Sequence, residues 1–186
     1  MKRLVIHPKD PSTEFLKGVY EGRDDVSIVT GGYSRGEIME MVKEHDQVML
    51  IGHGTGYGLL SIGQFSDACG YPGYVVDDSF APLLAEKDNT VFIWCYSDQY
   101  VERNRLHGFY TGMFISEPLE AYYCGLRSIQ HDEIEESNHA FADTVSRYVD
   151  RGARLMHAAT RHEYGRLARK NRIAAYNHKR LYAYYA

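Results

Sequence analysis

Cys95 and His53 are the residues of this chain whose types and positions predict nucleophilic chemistry. Cys95 directly follows the apolar run 91–94, and His53 follows the apolar run 48–51 and one glycine. Short apolar runs bounded by polar or turn residues are typical of buried strands in a parallel sheet. Because such sheets bind ligands at the carboxyl ends of their strands, we expect the thiol and the imidazole to meet at one edge. The pair therefore predicts a cysteine nucleophile activated by a histidine.

The glycine that follows the histidine has a predicted role in the same reaction. Because Gly54 has no side chain, its N–H can approach a substrate carbonyl, and the Cys95 N–H would be the second donor of an oxyanion hole. Each donor of this kind contributes about 3 kcal/mol of transition-state stabilisation. The 42 positions from His53 to Cys95 are enough for one crossover between neighbouring parallel strands.

The alternation of apolar runs and amphipathic segments predicts the sheet that would position this pair. Strands are expected at 4–7, 26–30, 47–52 and 90–95. Ser34 and Glu37 have the spacing of a capping box, which predicts that a helix begins there. This order favours an α/β fold in which helices flank a mostly parallel sheet. We also expect a helix start at 11–14, a loop over 63–78, a further strand at 112–116, a helix over 132–151 and one or two basic helices over 153–186.

Length and composition predict one ordinary globular domain. The chain has 186 residues, of which 44% are hydrophobic and 25% are charged. We expect a single domain over 1–186, with an α/β core at 1–130 and a helical C-terminal part at 131–186. The three widely spaced cysteines favour a reducing compartment over a disulfide framework. With neither a secretory leader nor an apolar run of membrane-spanning length, the expected location is cytoplasmic and away from the membrane.

The two strand-end motifs resemble those of the caspase-like cysteine peptidases, the clan that includes metacaspases, gingipain, clostripain and CHAT-domain proteases. The resemblance lies in 48–54, where an apolar strand ends in His-Gly, and in 91–95, where one ends in Cys. It implies a three-layer caspase-like fold and an endopeptidase in which Cys95 attacks the peptide carbonyl. His53 would protonate the leaving amine, and the N–H groups of Gly54 and Cys95 would hold the oxyanion. The sequence Ile-Trp-Cys-Tyr-Ser at 93–97 departs from the Gln-Ala-Cys signature of true caspases.

Charged residues near the predicted edge are candidates for substrate binding. Asp67, Asp98 and Glu117 would favour Arg or Lys before the cleaved bond, whereas Arg103 and Arg105 would favour Asp. Residues 1–146 hold 23 acidic and 11 basic side chains, which favours basic protein or peptide substrates. No cofactor is expected, and no metal site, because His and Cys residues lack the spacing of metal ligands.

Other interpretations of the same residues stay open. The fold could be a catalytically silent caspase-like module that binds a protein, a nucleotide or a nucleic acid. Cys69 and Cys124 are alternative nucleophiles. Residues 147–186 hold ten Lys or Arg against two Asp or Glu. This basic segment could dock on residues 1–146, the acidic body of the chain, or it could bind an acidic partner or nucleic acid.

Overall fold

The computed structural model describes residues 1–65 and 73–185. Its strands are β1 (Arg3–Ile6), β2 (Val26–Val29), β3 (Gln47–Ile51), β4 (Gly54–Thr55), β5 (Gly58–Leu60), β6 (Tyr74–Val76), β7 (Thr90–Ile93), β8 (Gly108–Thr111) and β9 (Leu181–Tyr184). Its α-helices are α1 (Arg35–Glu44), α2 (Ala81–Leu84), α3 (Ser97–Asn104), α4 (Pro118–Tyr123), α5 (His131–Tyr148), α6 (Gly152–Leu167) and α7 (Arg172–His178). Three 3-10 helices lie at Pro11–Val19, Asp78–Phe80 and Val149–Arg151.

A six-stranded sheet in the order β2-β1-β3-β7-β8-β9 forms the centre of the molecule. The first five strands are parallel, and β9 is antiparallel to β8. The predicted α/β fold with a mostly parallel, helix-flanked sheet is therefore confirmed. In the pairing of β3 with β7, Ile51 lies opposite Ile93. His53 and Cys95 each come two residues after this matched pair, so the register brings both to the same edge.

Hydrophobic cores cover both faces of this sheet, because successive side chains of a strand point to opposite sides. On one face, Met49 and Ile93 pack with residues of the first 3-10 helix, α5 and α6. On the other face, Leu50 and Phe92 pack with residues of α1 and α3. Every residue of β3 is buried, which explains why its sequence is an apolar run instead of an alternating pattern. A separate three-stranded sheet in the order β4-β5-β6 follows β3 in the chain.

The predicted helix starts are both present, although the first helix has a tighter form. Ser34 accepts a hydrogen bond from the Glu37 N–H, and the Glu37 carboxylate accepts one from the Ser34 N–H, so the capping box is confirmed. The segment Pro11–Val19 is a 3-10 helix that begins after Asp10, whose carboxylate caps the Ser12 N–H. In the predicted loop 63–78, β6 forms and pairs with β5.

The prediction of a strand at 112–116 is wrong, because the strand lies just before this segment, at Gly108–Thr111. The apolar residues that suggested it, Phe114 and Ile115, are buried in a non-strand segment. The Asn177 side chain accepts from the Ile115 N–H and donates to the Ile115 carbonyl, both at 2.8 Å. Because this amide pairs both backbone groups, the buried segment needs no neighbouring strand.

The last strand, β9, lies within 153–186, where only helices were expected. Leu181–Tyr184 pairs antiparallel with β8 and completes the sheet after α7 ends at His178. A four-residue strand containing Leu and Ala gives little periodic signal of its own. Its state was therefore decided by pairing with β8.

Candidate active site

His53 and Cys95 line one small cavity at the carboxyl edge of the sheet. The cavity has a volume of about 20 Å³, and Thr13, Phe15, Phe114 and Glu120 also contribute to its wall. This volume is close to the space that one water molecule needs. The expectation that neighbouring strands bring the imidazole and the thiol together thus agrees with their positions, although no hydrogen bond joins the two side chains.

His53 is held through its Nε2 atom by the segment that follows β1. Nε2 lies 2.7 Å from the Ser12 hydroxyl and 3.3 Å from Oδ1 of Asp10. The Ser12 hydroxyl is also 2.6 Å from the same Asp10 oxygen. The Ser12 hydrogen bonds hold the pKa of Asp10 below its usual value, so this carboxylate stays ionised at neutral pH.

These contacts determine which ring nitrogen of neutral His53 carries the hydrogen. The Ser12 hydroxyl has one hydrogen, and the ionised Asp10 carboxylate is an acceptor only. Ser12 therefore donates to Asp10, and His53 Nε2 donates to Ser12 and Asp10. In this tautomer Nδ1 is the basic nitrogen. In the described part of the chain Nδ1 has no hydrogen-bond partner, so it is available to accept a proton.

The Cys95 thiol is directed to acceptors on the opposite wall of the cavity. Sγ lies 3.3 Å from the Phe114 carbonyl oxygen and 3.8 Å from Oε1 of Glu120. The other carboxylate oxygen of Glu120 accepts hydrogen bonds from the N–H and the hydroxyl of Ser116. Burial, and next the negative charge of Glu120, raise the pKa of Cys95 to about 12. In this conformation the sulfur is a thiol at neutral pH and not a thiolate nucleophile.

A tight turn positions Cys95 between β7 and α3. Tyr96, the next residue, has left-handed backbone angles with φ of 67°, an unusual conformation for a residue with a side chain. Ser97 then begins α3, and its buried hydroxyl lies within hydrogen-bonding distance of the carbonyl oxygens of Phe92 and Thr111. The hydrogen bonds of the Ser97 hydroxyl to the strands on either side therefore hold the strand-to-helix turn in place.

Gly54 has a packing requirement that the sequence did not reveal. It begins β4 and pairs with Leu59 of β5. A Cβ atom at this position would lie 2.0 Å from the ring of Trp94, the residue before Cys95. The Trp94 indole also donates to the Thr55 carbonyl at 3.0 Å. Close contact with the indole is sufficient to explain the glycine, independently of the predicted oxyanion role.

A wide groove of about 780 Å³ adjoins the small cavity. Phe15 and Ser116 line both spaces, so the groove lies next to the cavity that Cys95 and His53 line. Glu117, one of the predicted substrate-binding residues, is in its wall. The carboxylates that line the groove are Glu14, Glu21, Glu117 and Glu135. One lysine, Lys17, also lines it and pairs with Glu14.

The other predicted substrate-binding residues are not in this groove. Asp98 lies in the first turn of α3 and lines neither the groove nor the small cavity. One of its carboxylate oxygens is buried without a hydrogen-bond partner in the described residues, and burial raises the pKa of this group. Asp67 lies outside the described residues, as does the alternative nucleophile Cys69. Cys124 follows α4 and is partly buried.

Sequence reasoning missed three residues whose side chains contact the pair, namely Asp10, Ser12 and Glu120, and also Ser116, which donates to the Glu120 carboxylate. A signal existed for the first two. Asp-Pro-Ser at 10–12 is a capping pattern that soon follows β1, the strand next to β3, so its position at the same edge was predictable. No comparable signal existed for Glu120, because the path from β8 to α4 is irregular.

Comparisons with protein-family models, with curated proteins and with solved structures found no match to this chain. Within the described residues, no helix has the length and apolar character needed to cross a membrane. The same residues contain no group of three or more His, Cys, Asp or Glu side chains suited to a metal ion.

Proposed function

We propose that this protein is a cysteine endopeptidase of the caspase-like type, with Cys95 as nucleophile and His53 as its base. The observation that carries the proposal is the shared cavity, into which neighbouring strands deliver both side chains. The support of His53 through Nε2 adds to it, because Nδ1 is left as the basic nitrogen. Asp10 and Ser12 are positioning residues, since they act on the reaction through the imidazole.

The reaction proceeds in two stages. Nδ1 of His53 accepts the thiol proton, and the Cys95 sulfur attacks the peptide carbonyl carbon to form a carbon–sulfur bond. The imidazolium then donates its proton to the leaving amine as the carbon–nitrogen bond breaks. Water hydrolyses the resulting thioester, which releases the carboxylic acid and restores the thiol. The N–H groups of Gly54 and Cys95 are the proposed oxyanion donors.

Catalysis requires a different arrangement of Cys95 from the one described here. A cavity of about 20 Å³ cannot admit a peptide group together with its side chains. The thiol must also leave the Phe114 carbonyl and Glu120 before Nδ1 can receive its proton. The segment from Phe114 to Glu120 is therefore proposed to move outward when substrate binds, and the present conformation is a resting one.

The acidic groove favours substrates with Arg or Lys near the cleaved bond. Of its four carboxylates, Glu14 pairs with Lys17 and Glu135 lies 3.3 Å from His131, whereas Glu21 and Glu117 have no ion pair in the described residues. A guanidinium or ammonium group placed there would gain charge-assisted hydrogen bonds. Glu117 is the proposed contact, because it neighbours Ser116, which lines both the groove and the cavity.

The test is covalent labelling by matched peptidyl ketone reagents that end in Arg or in Asp. Mass spectrometry of the intact protein should show one adduct, on Cys95, formed faster by the Arg reagent. His53→Ala should abolish the adduct, whereas Cys95→Ser controls for reaction at other sites. Retention of the circular dichroism spectrum establishes that each variant is folded.

A catalytically silent caspase-like module is the second candidate, and the environment of the thiol favours it. The sulfur is bound to acceptors, the pKa of the thiol is raised to about 12, and no hydrogen bond joins it to His53. The same labelling experiment separates the candidates. If neither the wild type nor a Glu120→Gln variant forms a His53-dependent adduct, the peptidase proposal is wrong and the silent module remains.

A further inference from the structure

We infer that the exposed face of α6 binds single-stranded nucleic acid, with the ring of Tyr185, the residue after β9, as a stacking surface. This surface is separate from the proposed peptidase site. It consists of the solvent-facing residues of 151–169 together with Tyr185, and we call it the arginine face. Its cations are Arg151, Arg154, Arg161, Arg166 and Arg169.

α6 packs on the protein core through the side opposite its arginines, so the arginine side chains face solvent and are accessible to a partner. Ala153, Met156, Thr160, Tyr164 and Leu167 are buried and recur at spacings of three or four. Arg154, Arg161, Arg166 and His162 of α6 are exposed away from this side, and Arg151, just before the helix, and Arg169, just after it, are also exposed. Glu163, the one acidic residue of α6, lies between the two sides and pairs with Arg147.

The arginines of this face are not neutralised by the acidic body. Among the described residues, the carboxylate pairs of the basic segment involve Arg147, Lys170 and Arg172. None involves the arginine face. There, Arg161 donates to a backbone carbonyl, and Arg166 contacts His162. Docking on the acidic body therefore accounts for part of the basic segment but not for this surface.

An exposed aromatic ring at one end of the face favours single strands over duplexes and acidic polypeptides. Tyr185 is about half exposed, at 47%, whereas Tyr184 lies on the other side of the sheet, where its ring contacts His107. The Arg154 guanidinium lies 5.7 Å from the centre of the Tyr185 ring, so a cation and a stacking surface occur together. Unpaired bases stack on such rings while arginines contact phosphates, whereas paired bases present no free face.

The test measures binding of labelled 12-nucleotide single strands by fluorescence anisotropy across a series of salt concentrations. RNA and DNA strands form separate arms, which distinguish the two sources of the same chemistry. If all five arginines contact phosphates, the logarithmic salt slope is about −3.5. The variant Arg161→Ala/Arg166→Ala should reduce its magnitude by about 1.4, whereas Arg161→Lys/Arg166→Lys should retain it.

The stacking contribution has its own variants. Tyr185→Ala should weaken binding by about tenfold, and Tyr185→Phe, which keeps the ring, should not. Lys2→Ala/Lys43→Ala removes two exposed cations from other surfaces and is the control for net charge. The proposal is wrong if single strands do not bind, if a duplex or polyglutamate binds as tightly, or if the arginine and tyrosine variants behave like the lysine control.

Discussion

Burial and the charge of Glu120 favour the thiol form of Cys95, although a histidine lines the same cavity. Burial disfavours the thiolate most, and the negative charge of Glu120, which lies 3.8 Å from Sγ, opposes a second charge on sulfur. The imidazole, in contrast, is supported in the tautomer that accepts a proton from a thiol. The cavity is thus lined by an imidazole whose Nδ1 has no hydrogen-bond partner in the described residues and by a sulfur that remains a thiol.

Replacing Glu120 by Gln is expected to increase the reactivity of Cys95. The amide keeps the size of the side chain and removes the charge that helps to raise the pKa of the thiol. Each unit by which that pKa falls increases the thiolate fraction tenfold at a pH well below it. The measurement is the rate of iodoacetamide alkylation at pH 8, with Cys69→Ser and Cys124→Ser present throughout.

Glu117→Gln is the matched control, because it removes the same charge three residues away and lies in the groove wall. It should leave the alkylation rate of Cys95 within about twofold, as expected for a solvent-screened charge. Equal rates for Glu120→Gln and the parent protein would contradict the role given to Glu120.

Because the His7 ring is buried, we expect the folded protein to lose stability in mildly acidic solution. Its ring is buried between the Tyr20 hydroxyl and the Thr13 hydroxyl, and burial lowers its pKa to about 4. The pKa of His7 is 6.5 in the unfolded chain and about 4 in the folded chain. The contribution of neutral His7 to the free energy of unfolding is therefore fully present above pH 6.5. It declines as the pH falls between these values. From pH 7 to pH 5 the free energy of unfolding should decrease by about 2 kcal/mol from this group alone.

Urea unfolding at both pH values, with His7→Gln as the reference, isolates that decrease. The variant lacks the titrating ring. Between pH 7 and pH 5, the decrease in its free energy of unfolding should therefore be about 2 kcal/mol smaller than the decrease in the parent protein. Equal pH dependence in the two proteins would mean that His7 is protonated at an ordinary pH in the folded state.

At the scale of elements, the β4–β5 hairpin depends on how closely β4 approaches Trp94. Gly54→Ala would place a methyl group 2.0 Å from an indole that is itself buried. Overpacking of this kind costs about 1–3 kcal/mol, and we expect a loss in that range in thermal or urea unfolding.

Gly36→Ala in α1 provides the control for the glycine-to-alanine change. A Cβ atom at position 36 would meet nothing within 4 Å, and alanine is the better helix former. This variant should therefore be more stable, by up to about 1 kcal/mol. If Gly54→Ala is as stable as the parent protein, the close approach of β4 to Trp94 does not limit the side chain at position 54, and this prediction is wrong.

At the scale of the whole molecule, β9 ties the C-terminal helices to the sheet. Its first residue, Leu181, is buried in the core shared by β8, α5 and α6. The His157 ring also lies 2.9 Å from the Leu181 carbonyl oxygen, which links α6 to the same strand. The basic segment 147–186, which holds ten of the 21 Lys and Arg residues of the chain, is thus packed against the sheet and is not an appended tail.

Leu181→Ala is expected to destabilise the protein by about 2–5 kcal/mol, because it opens a cavity between the sheet and α6. Tyr184→Ala, in the same strand but about half exposed, should cost less than about 1 kcal/mol. Urea unfolding monitored by circular dichroism measures both. A small effect of Leu181→Ala would indicate that β9 contributes little to the core.

The sequence predicted the elements whose signal is local. The apolar runs identified β3 and β7, and Ser34 with Glu37 identified the start of α1, because burial on both faces and capping each leave a pattern within a few residues. Elements that depend on a distant partner were missed or misplaced. β9 requires β8, and the buried non-strand segment at Ile115 requires the Asn177 amide.

The same division applies to the candidate site. Strand ends and parallel order were enough to predict that His53 and Cys95 share an edge, because neighbouring parallel strands end together. Residue types alone could not determine the direction of the thiol, the protonated nitrogen of His53 or the closeness of Trp94 to Gly54. Those features arise from side chains that are distant in sequence, and only the packing of the folded chain decides which of them meet.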